Sequence, residues 1–514
     1  MSGRSLPPFS IQLPKNLKKL ELVKITIKNF EISKNMYKFA KKEEIIMVAK
    51  NEFLGTESIG KLMFKLTLPA IAAQIINMLY NIVDRIYIGH MPEVGALALT
   101  GLGVTYPLII AISAFSALIF MGGTPRASIK MGEGDYEGAE KIMGNSFILL
   151  VIISIILTVL GLIFDRQLLM LFGASENTIE YAYNYMQIYL LGTIFVQLTL
   201  GMNSFITAQG FAKTGMYTIL IGAGLNIALD PLFIYTFGWG VQGAAIATVI
   251  SQAVSTIWVI SFLRSDKSAL KLKKEHFKLE KEIVLPIFSL GMAPFIMQFT
   301  ESILFFSFNF SLLKYGGDVA VGSMAILSTL MMFAMFPLMG FTQGAQPIIS
   351  YNFGAKKPER VKKAFNLLLS ICLIYSVTFW ALVMAFPDFF AGIFTNDLAL
   401  KEFTVWAMRI YMAALVLMGA QIACQQTFIA IGNAKTSLFL ALLRKVILLI
   451  PLIFILPMFF ENKVMAVYLA EPVSDTIAVI VTISMFIVQF RKSLKEIETE
   501  KSEKIKEEYQ HQET

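Results

Sequence analysis

The chain has 514 residues, of which 56% are hydrophobic and only 16% charged, with a formal net charge of +8. A soluble domain carries about 25% charged residues, so this composition, with a mean hydropathy of +0.65, excludes a string of soluble domains. The positive residues lie in tails and in loops between apolar segments, which points to topology signals and contacts with anionic membrane lipid and away from nucleic acid.

From the N-terminus, residues 1–54 read as a basic, polar tail, too charged to cross a bilayer. No short apolar core follows a basic stretch there, so no cleavable signal peptide is expected. Met47 offers an alternative start. Twelve apolar segments then reach the roughly 20 residues needed to span lipid. They are 62–89, 95–121, 143–164, 181–206, 214–236, 241–263, 284–313, 319–343, 364–386, 404–430, 436–459 and 464–490. The expected organisation is a six-helix lobe over 55–264, a charged linker over 265–283, a second six-helix lobe over 284–490 and a charged tail over 491–514.

The first span carries Gln74, Asn77, Asn81 and Asp84 at spacings of three, four and three, which makes one polar stripe on a helix. A wet face lining a cavity is one reading, and hydrogen bonds between packed helices is the other. Ionised groups in hydrocarbon are costly and by default functional. Asp84 lies some five residues from the outer end of its span, roughly 7–8 Å down at 1.5 Å per residue. Arg85, next to it, points about 100° away and is expected to snorkel to the outer headgroups.

Asp230 in the fifth span and Thr248 in the sixth fall at a similar depth, and Asn226 shares a helix face with Asp230 four residues on. Pro231 removes a backbone donor directly after Asp230 and should kink that helix. Two carboxylates with amide and hydroxyl oxygens read as a hard-cation or proton site; an interhelical hydrogen-bond cluster that holds the bundle together is the other reading. In the seventh span Glu301 stands near mid-membrane as a lone carboxylate and a candidate cavity residue. Arg444 and Lys445 in the eleventh span, with Glu471 and Asp475 in the twelfth, read as a buried charge network in which opposite charges pair.

The two halves repeat. A shift of 222 residues brings Pro125 onto Pro347, Gly132 onto Gly354, Glu137 onto Glu359, Phe172 onto Phe394 and Tyr189 onto Tyr411 without a gap. It also brings AQGFAKT (208–214) onto AIGNAKT (430–436). Near the first span the shift is 225, and Pro69 meets Pro294. Internal repetition on this scale marks a duplicated transporter bundle. Six spans per half make both halves enter from one side, so their pseudo-two-fold axis lies along the membrane normal. The repeat fails where charge matters: Asn309 stands opposite Asp84, and Glu301 opposite Ile76. Loops holding Arg126, Lys130, Lys141, Lys213, the linker lysines, Lys356, Lys357, Arg360, Lys362, Lys363 and Lys435 read as cytoplasmic. Both termini are then cytoplasmic.

NIVDRIYIGH (81–90), GLNIALDPLFIY (224–235), GVQGAAIATVISQ (240–252) and VYLAEPVSD (467–475) resemble the multidrug and toxic compound extrusion (MATE) family over residues 55–490. The first and last of these resemble its MepA-like bacterial subgroup. The resemblance implies a prokaryotic inner-membrane antiporter that exports bulky, often cationic xenobiotics in exchange for Na+ or H+. In Na+-coupled members the positions matching Asp84, Asn226, Asp230 and Thr248 form the cation site, and other branches use a seventh-helix Glu, which makes Glu301 a candidate. Oxygen ligands alone suit Na+ as well as a proton. The added Asn226 and Thr248 oxygens help complete a Na+ shell, so Na+ is the expected ion. No cofactor is implied beyond that transported ion, and the protein is expected to act as a monomer on small molecules.

A flippase for lipid-linked saccharides, from the wider superfamily, is the alternative; it would line its cavity with cations to hold pyrophosphate. A membrane enzyme would need a nucleophile–base or metal set at one depth, and the sequence offers none. Without a GxxxxGK[ST] loop, ATP is not expected to drive transport directly. Cys372 and Cys424, both inside apolar segments, suggest neither a disulfide nor a metal. The 27 methionines and 42 phenylalanines suit adaptable binding of varied ligands, although most must face lipid or core.

Overall fold

In lipid a segment must satisfy its own backbone hydrogen bonds, so each apolar run folds as a helix. The computed structural model describes residues 52–92 and 94–513, and among them there are helices, turns and loops but no strand. Of the expected tail over residues 1–54, residues 1–51, with Met47, lie outside the described residues.

The first half consists of α1 (Ile59–Gly89), α2 (Gly95–Glu133), α3 (Tyr136–Leu171), α4 (Ile179–Leu191), α5 (Thr193–Ala208), α6 (Ala212–Pro231) and α7 (Gly240–Arg264). The second consists of α8 (Lys281–Gly354), α9 (Pro358–Ala385), α10 (Pro387–Gly392), α11 (Leu398–Tyr411), α12 (Leu415–Ala430), α13 (Ala434–Leu442), α14 (Ile450–Ile455) and α15 (Lys463–Glu513). Among the described residues nine helical stretches are long and apolar enough to span a membrane, and two bent pairs add to them. The pairs are α4 with α5, bent by 57°, and α11 with α12, bent by 47°. The remaining span comes from α8. Its 74 residues would reach about 111 Å as one straight helix, against a hydrocarbon core of about 30 Å. At Gly317 the backbone leaves the helix (φ 65°, ψ −163°), which divides α8 into the seventh and eighth spans. The expected count of twelve holds, in two six-helix bundles.

The helices overrun the expected ends, because apolar length marks only the part inside hydrocarbon. α2 continues to Glu133 and the eighth span to Gly354, where the two cross. A Cβ placed on Gly132 would stand 2.0 Å from the Tyr351 carbonyl oxygen, and one on Gly354 2.0 Å from that of Ile129. Both positions obey the 222-residue repeat. So does the hydrogen bond between Gln346 Nε2 and Thr124 Oγ1 (3.1 Å), which joins one repeat position to its own counterpart across the pseudo-axis. Ser128 Oγ donates to the Ala208 carbonyl and Ser350 Oγ to that of Ala430. Asn203 Nδ2 donates to the Gly215 carbonyl and Gln425 Nε2 to that of Ser437.

Each half has its own apolar core. One gathers Ile88, Leu102, Tyr185, Leu190 and Ala244; the other gathers Leu304, Met324, Met408, Leu449 and Tyr468. The charged linker between them is fastened and not merely solvated. Gln209 Oε1 accepts from Ser268 Oγ and from the Ala269 and Leu270 amides. The buried Glu140 accepts from the Lys271 amide at 2.8 Å and pairs with Lys273 Nζ at 2.7 Å.

Candidate functional site

Small residues bring α6 and α7 together around the first-half acids. Ala244, Ala245 and Ala247 on α7 are fully buried. Gly243 abuts the chain beyond α6 so closely that a Cβ there would stand 2.7 Å from the Phe233 carbonyl. After Asp230 and Pro231, α6 loosens into a π-helical turn over Leu232–Thr236, as expected of a helix whose next donor is missing. Tyr235 Oη then donates to the Tyr87 carbonyl at 2.5 Å and ties that turn to the outer end of α1.

The result is one buried polar group built from three spans. Asp84 from α1, Asn226 and Asp230 from α6, and Thr248 from α7 are all buried, Asp230 completely. Asn226 Nδ2 lies 3.3 Å from both Asp230 Oδ1 and Thr248 Oγ1, and the Asp84 and Asp230 carboxyls adjoin. Asp84 Oδ1, Asn226 Oδ1 and Asp230 Oδ2 are buried without a hydrogen-bond partner. Buried polar atoms are normally satisfied. Three orphaned acceptors on neighbouring side chains therefore form a place where a small cation, with oxygen as its preferred ligand, would be stabilised. Among the described residues no set of three or more His, Cys, Asp or Glu side chains is placed to hold a metal, and the donors gathered here are all oxygens.

Tyrosines complete the surroundings and were missed from sequence. Tyr80 and Tyr185 approach Thr248, and Tyr189 lies beside Tyr80. Tyr80 precedes Asp84 by one helical turn, and Tyr185 and Tyr189 are also four apart, so face-sharing was a readable signal. Arg85 makes no ion pair with Asp84; its guanidinium sits over the Tyr106 ring, 5.1 Å from the centroid.

The rest of the α1 stripe is not part of this group. Gln74 Nε2 donates to Gln343 Oε1 (3.1 Å) on the eighth span and so links the two halves. Asn81 Nδ2 donates to the Asn77 carbonyl, and both side chains are exposed. Glu301 differs from expectation: it is not alone. Lys445 Nζ stands 2.9 Å from Glu301 Oε1, because the eleventh span distorts into a π-helical stretch over Leu443–Leu449 that buries both Arg444 and Lys445. Arg444 pairs with Asp475 at 2.6 Å and with Glu471 at 3.6 Å. Glu301 thus joins the network expected of the other four residues. Cys372 and Cys424 are buried and free.

The MatE family model matches this chain twice, over residues 69–232 and 294–455, one match in each half. The chain is similar to the multidrug export protein MepA of Staphylococcus haemolyticus, with 26% identity over 435 residues, covering 84% of this chain and 95% of that one. It is equally similar to MepA of Staphylococcus aureus, 26% over 396 residues, covering 77% and 87%. Among solved structures, an outward-facing multidrug resistance MATE family transporter superposes with a TM-score of 0.79 at 24% identity, covering 87% of this chain and 99% of that one. A transporter of the same superfamily from Pyrococcus furiosus, described as having reversed binding-pocket polarity, superposes with a TM-score of 0.80 at 24% identity, covering 87% and 98%. These two likenesses speak to fold.

Proposed function

The chain belongs to the MatE family, and from that premise we propose that it is a multidrug efflux antiporter of the cell membrane that exports organic cations in exchange for Na+. The observation that carries the coupling-site reading is the trio of buried, unpartnered oxygens on Asp84, Asn226 and Asp230. A cation arriving from outside would find two carboxylates and two neutral oxygen-bearing side chains held by three different spans. Binding draws those spans together, and because α1 is bonded to the eighth span through Gln74 and Gln343, the change reaches the other half. The ion is cargo; no resident cofactor enters this reading.

The flippase alternative needs free cations in the cavity to hold pyrophosphate. The two mid-membrane cations of the second half, Arg444 and Lys445, are both engaged with carboxylates, so that alternative gains no support.

The test is dye efflux from proteoliposomes under a Na+ gradient at fixed pH, then under a pH gradient without Na+. Efflux is expected to follow the Na+ gradient, and Asp84→Asn is expected to abolish it while leaving insertion and monodispersity intact. Wild-type efflux by a well-inserted Asp84→Asn protein would remove the coupling-site assignment. Efflux that follows only pH would replace Na+ by the proton.

A further inference from the structure

The repeat gives α3 and α9 matching positions at their basic ends. A shift of 222 residues brings Glu137 onto Glu359, Glu140 onto Lys362, Lys141 onto Lys363 and Gly144 onto Asn366. In the first half this face is paired and covered. Lys141 pairs with Glu137 (2.8 Å), the linker lays Lys273 against Glu140 (2.7 Å), and a Cβ on Gly144 would stand 2.6 Å from the His276 carbonyl oxygen. In the second half a lysine replaces the covered acid, and the face opens into a cavity of about 410 Å³. Its lining is Ser58 and Ile59 at the start of α1, in the first half, and Glu359, Arg360, Lys362, Lys363 and Asn366 of α9, in the second. Small-molecule sites occupy about 300–1,000 Å³. Three cations here meet one carboxylate. Arg360 is engaged with the Leu54 and Glu57 carbonyls, whereas Lys362 and Lys363 are exposed and make no ion pair or hydrogen bond with another described residue. Two exposed faces run from the cavity toward mid-span. On α9 Lys363, Asn366, Ser370, Ile374 and Val377 follow at helical spacing and are all exposed, polar at the basic end and apolar beyond it. On α1 Phe64 and Leu68 are exposed in the same way.

We propose that this cavity binds the phosphate headgroup of an anionic phospholipid, with Lys362 and Lys363 as its counter-ions and the acyl chains laid along the exposed faces of α1 and α9. Basic pockets between spans attract such headgroups. A phosphate carrying apolar chains answers both the charge and the two faces, which a soluble anion does not. The lipid thus takes the place in the second half that the linker fills in the first, with the charges reversed. Ser58 belongs to one half and the two lysines to the other, so the cavity has this lining only while the halves are closed on the basic side. A ligand that binds one state better shifts the balance toward it, and anionic lipid therefore favours that closure. The inference is independent of the exported substrate and of the coupling ion.

The experiment titrates the full-length protein in detergent with phosphatidylglycerol or phosphatidylcholine and counts bound lipid by native mass spectrometry. Wild-type protein is expected to prefer phosphatidylglycerol at its tightest site. Lys362→Gln combined with Lys363→Gln is expected to weaken that binding about tenfold and to leave phosphatidylcholine unchanged. Lys274→Gln combined with Lys278→Gln removes the same charge from exposed linker positions and is expected to change little. Glycerol phosphate, which has the headgroup chemistry without the chains, is expected to compete only at about a hundredfold higher concentration. Spin labels at Lys213 and Lys435 then read closure in phosphatidylcholine nanodiscs with and without phosphatidylglycerol. Withdrawing phosphatidylglycerol is expected to add a longer-distance population in the wild type and to leave the Lys362 and Lys363 double variant unchanged. Equal loss in the two double variants overturns the proposal. So does competition by glycerol phosphate at lipid concentrations, or a wild-type distance distribution indifferent to phosphatidylglycerol. Should the Lys362 and Lys363 double variant fail to insert, Lys363→Gln decides by the same comparison with Lys278→Gln.

Discussion

Asn226 has its amide nitrogen between two oxygens, Asp230 Oδ1 and Thr248 Oγ1, each 3.3 Å away. The amide therefore orients the carboxylate and leaves its own carbonyl oxygen buried and unpartnered. Thr248→Val keeps the side-chain shape but deletes one hydroxyl. With a net hydrogen bond worth about 1 kcal/mol, the apparent affinity for Na+ is expected to fall about five- to tenfold, with any pH-driven efflux changed far less. The measurement is initial efflux rate against Na+ concentration, and an unchanged curve would remove Thr248 from the ion's shell. That these four residues meet was legible in advance, because depth can be counted along a helix of fixed rise and Asn226 shares a face with Asp230. The pairing of Glu301 with Lys445 was not. A span apolar on nearly all sides gives no periodicity from which to read its rotation, and a π-helical stretch shifts the faces of everything after it.

At the scale of helices, the two crossings of α2 with the eighth span show what the repeat encodes. Gly132 and Gly354, one repeat apart, each accept the other helix's backbone with no room for a side chain. The repeat was visible as matched residues; that its glycines face each other across the pseudo-axis was not, since a shift in sequence carries no information about which copies touch. The bends at Gly192 and after Tyr411 were hidden for a similar reason, because apolar length has no direction. The positive φ of Gly134 and Lys356 also falls one repeat apart (83° and 53°), so the second half retains a turn that glycine made easy in the first. Gly354→Val is expected to destabilise the protein by about 1–3 kcal/mol or more, as forced overpacking does, and to lower its melting temperature in detergent. Gly224, with no atom within 4 Å of its notional Cβ, is the control; Gly224→Ala is expected to leave the melt unchanged or raise it slightly through better helix propensity. Equal effects at the two sites would show that the crossing is looser than its geometry requires.

Across the whole molecule, the close approaches between halves collect on the basic side. Gly122 meets Ile287, Gly291 meets Leu118, Gly344 meets Thr67, and Gly132 and Gly354 cross nearby. Toward the other end of the seventh span Phe306, Phe310 and Leu313 are exposed. The halves are thus closed where lysines and arginines gather, and a transporter in this state must break that closure to open toward that side. Residues 53–57 lie across the closure. The Phe53 ring covers Gly210, in the turn before α6, so closely that a Cβ there would stand 2.5 Å from it. Leu54 is completely buried. On the other half, Lys357 Nζ donates to the Gly55 carbonyl at 2.9 Å, and Arg360 donates to the carbonyls of Glu57 (2.7 Å) and Leu54 (3.1 Å) and to Asn352 Oδ1 (2.8 Å). Charge-assisted hydrogen bonds contribute about 1.5–3 kcal/mol each when desolvated. The three made by Arg360 are only partly buried and share one guanidinium, so about 1–2 kcal/mol for that side chain is the sounder expectation. If the opened state lacks these bonds, Arg360→Ala shifts the balance toward opening by roughly five- to thirtyfold. Spin labels on the matching turns, at Lys213 and Lys435, report the separation directly. The variant is expected to gain a longer-distance population that the wild type lacks or barely shows, together with faster substrate loading from the basic side. An unaltered distance distribution in Arg360→Ala would mean that residues 53–57 ride on one half without holding the two together.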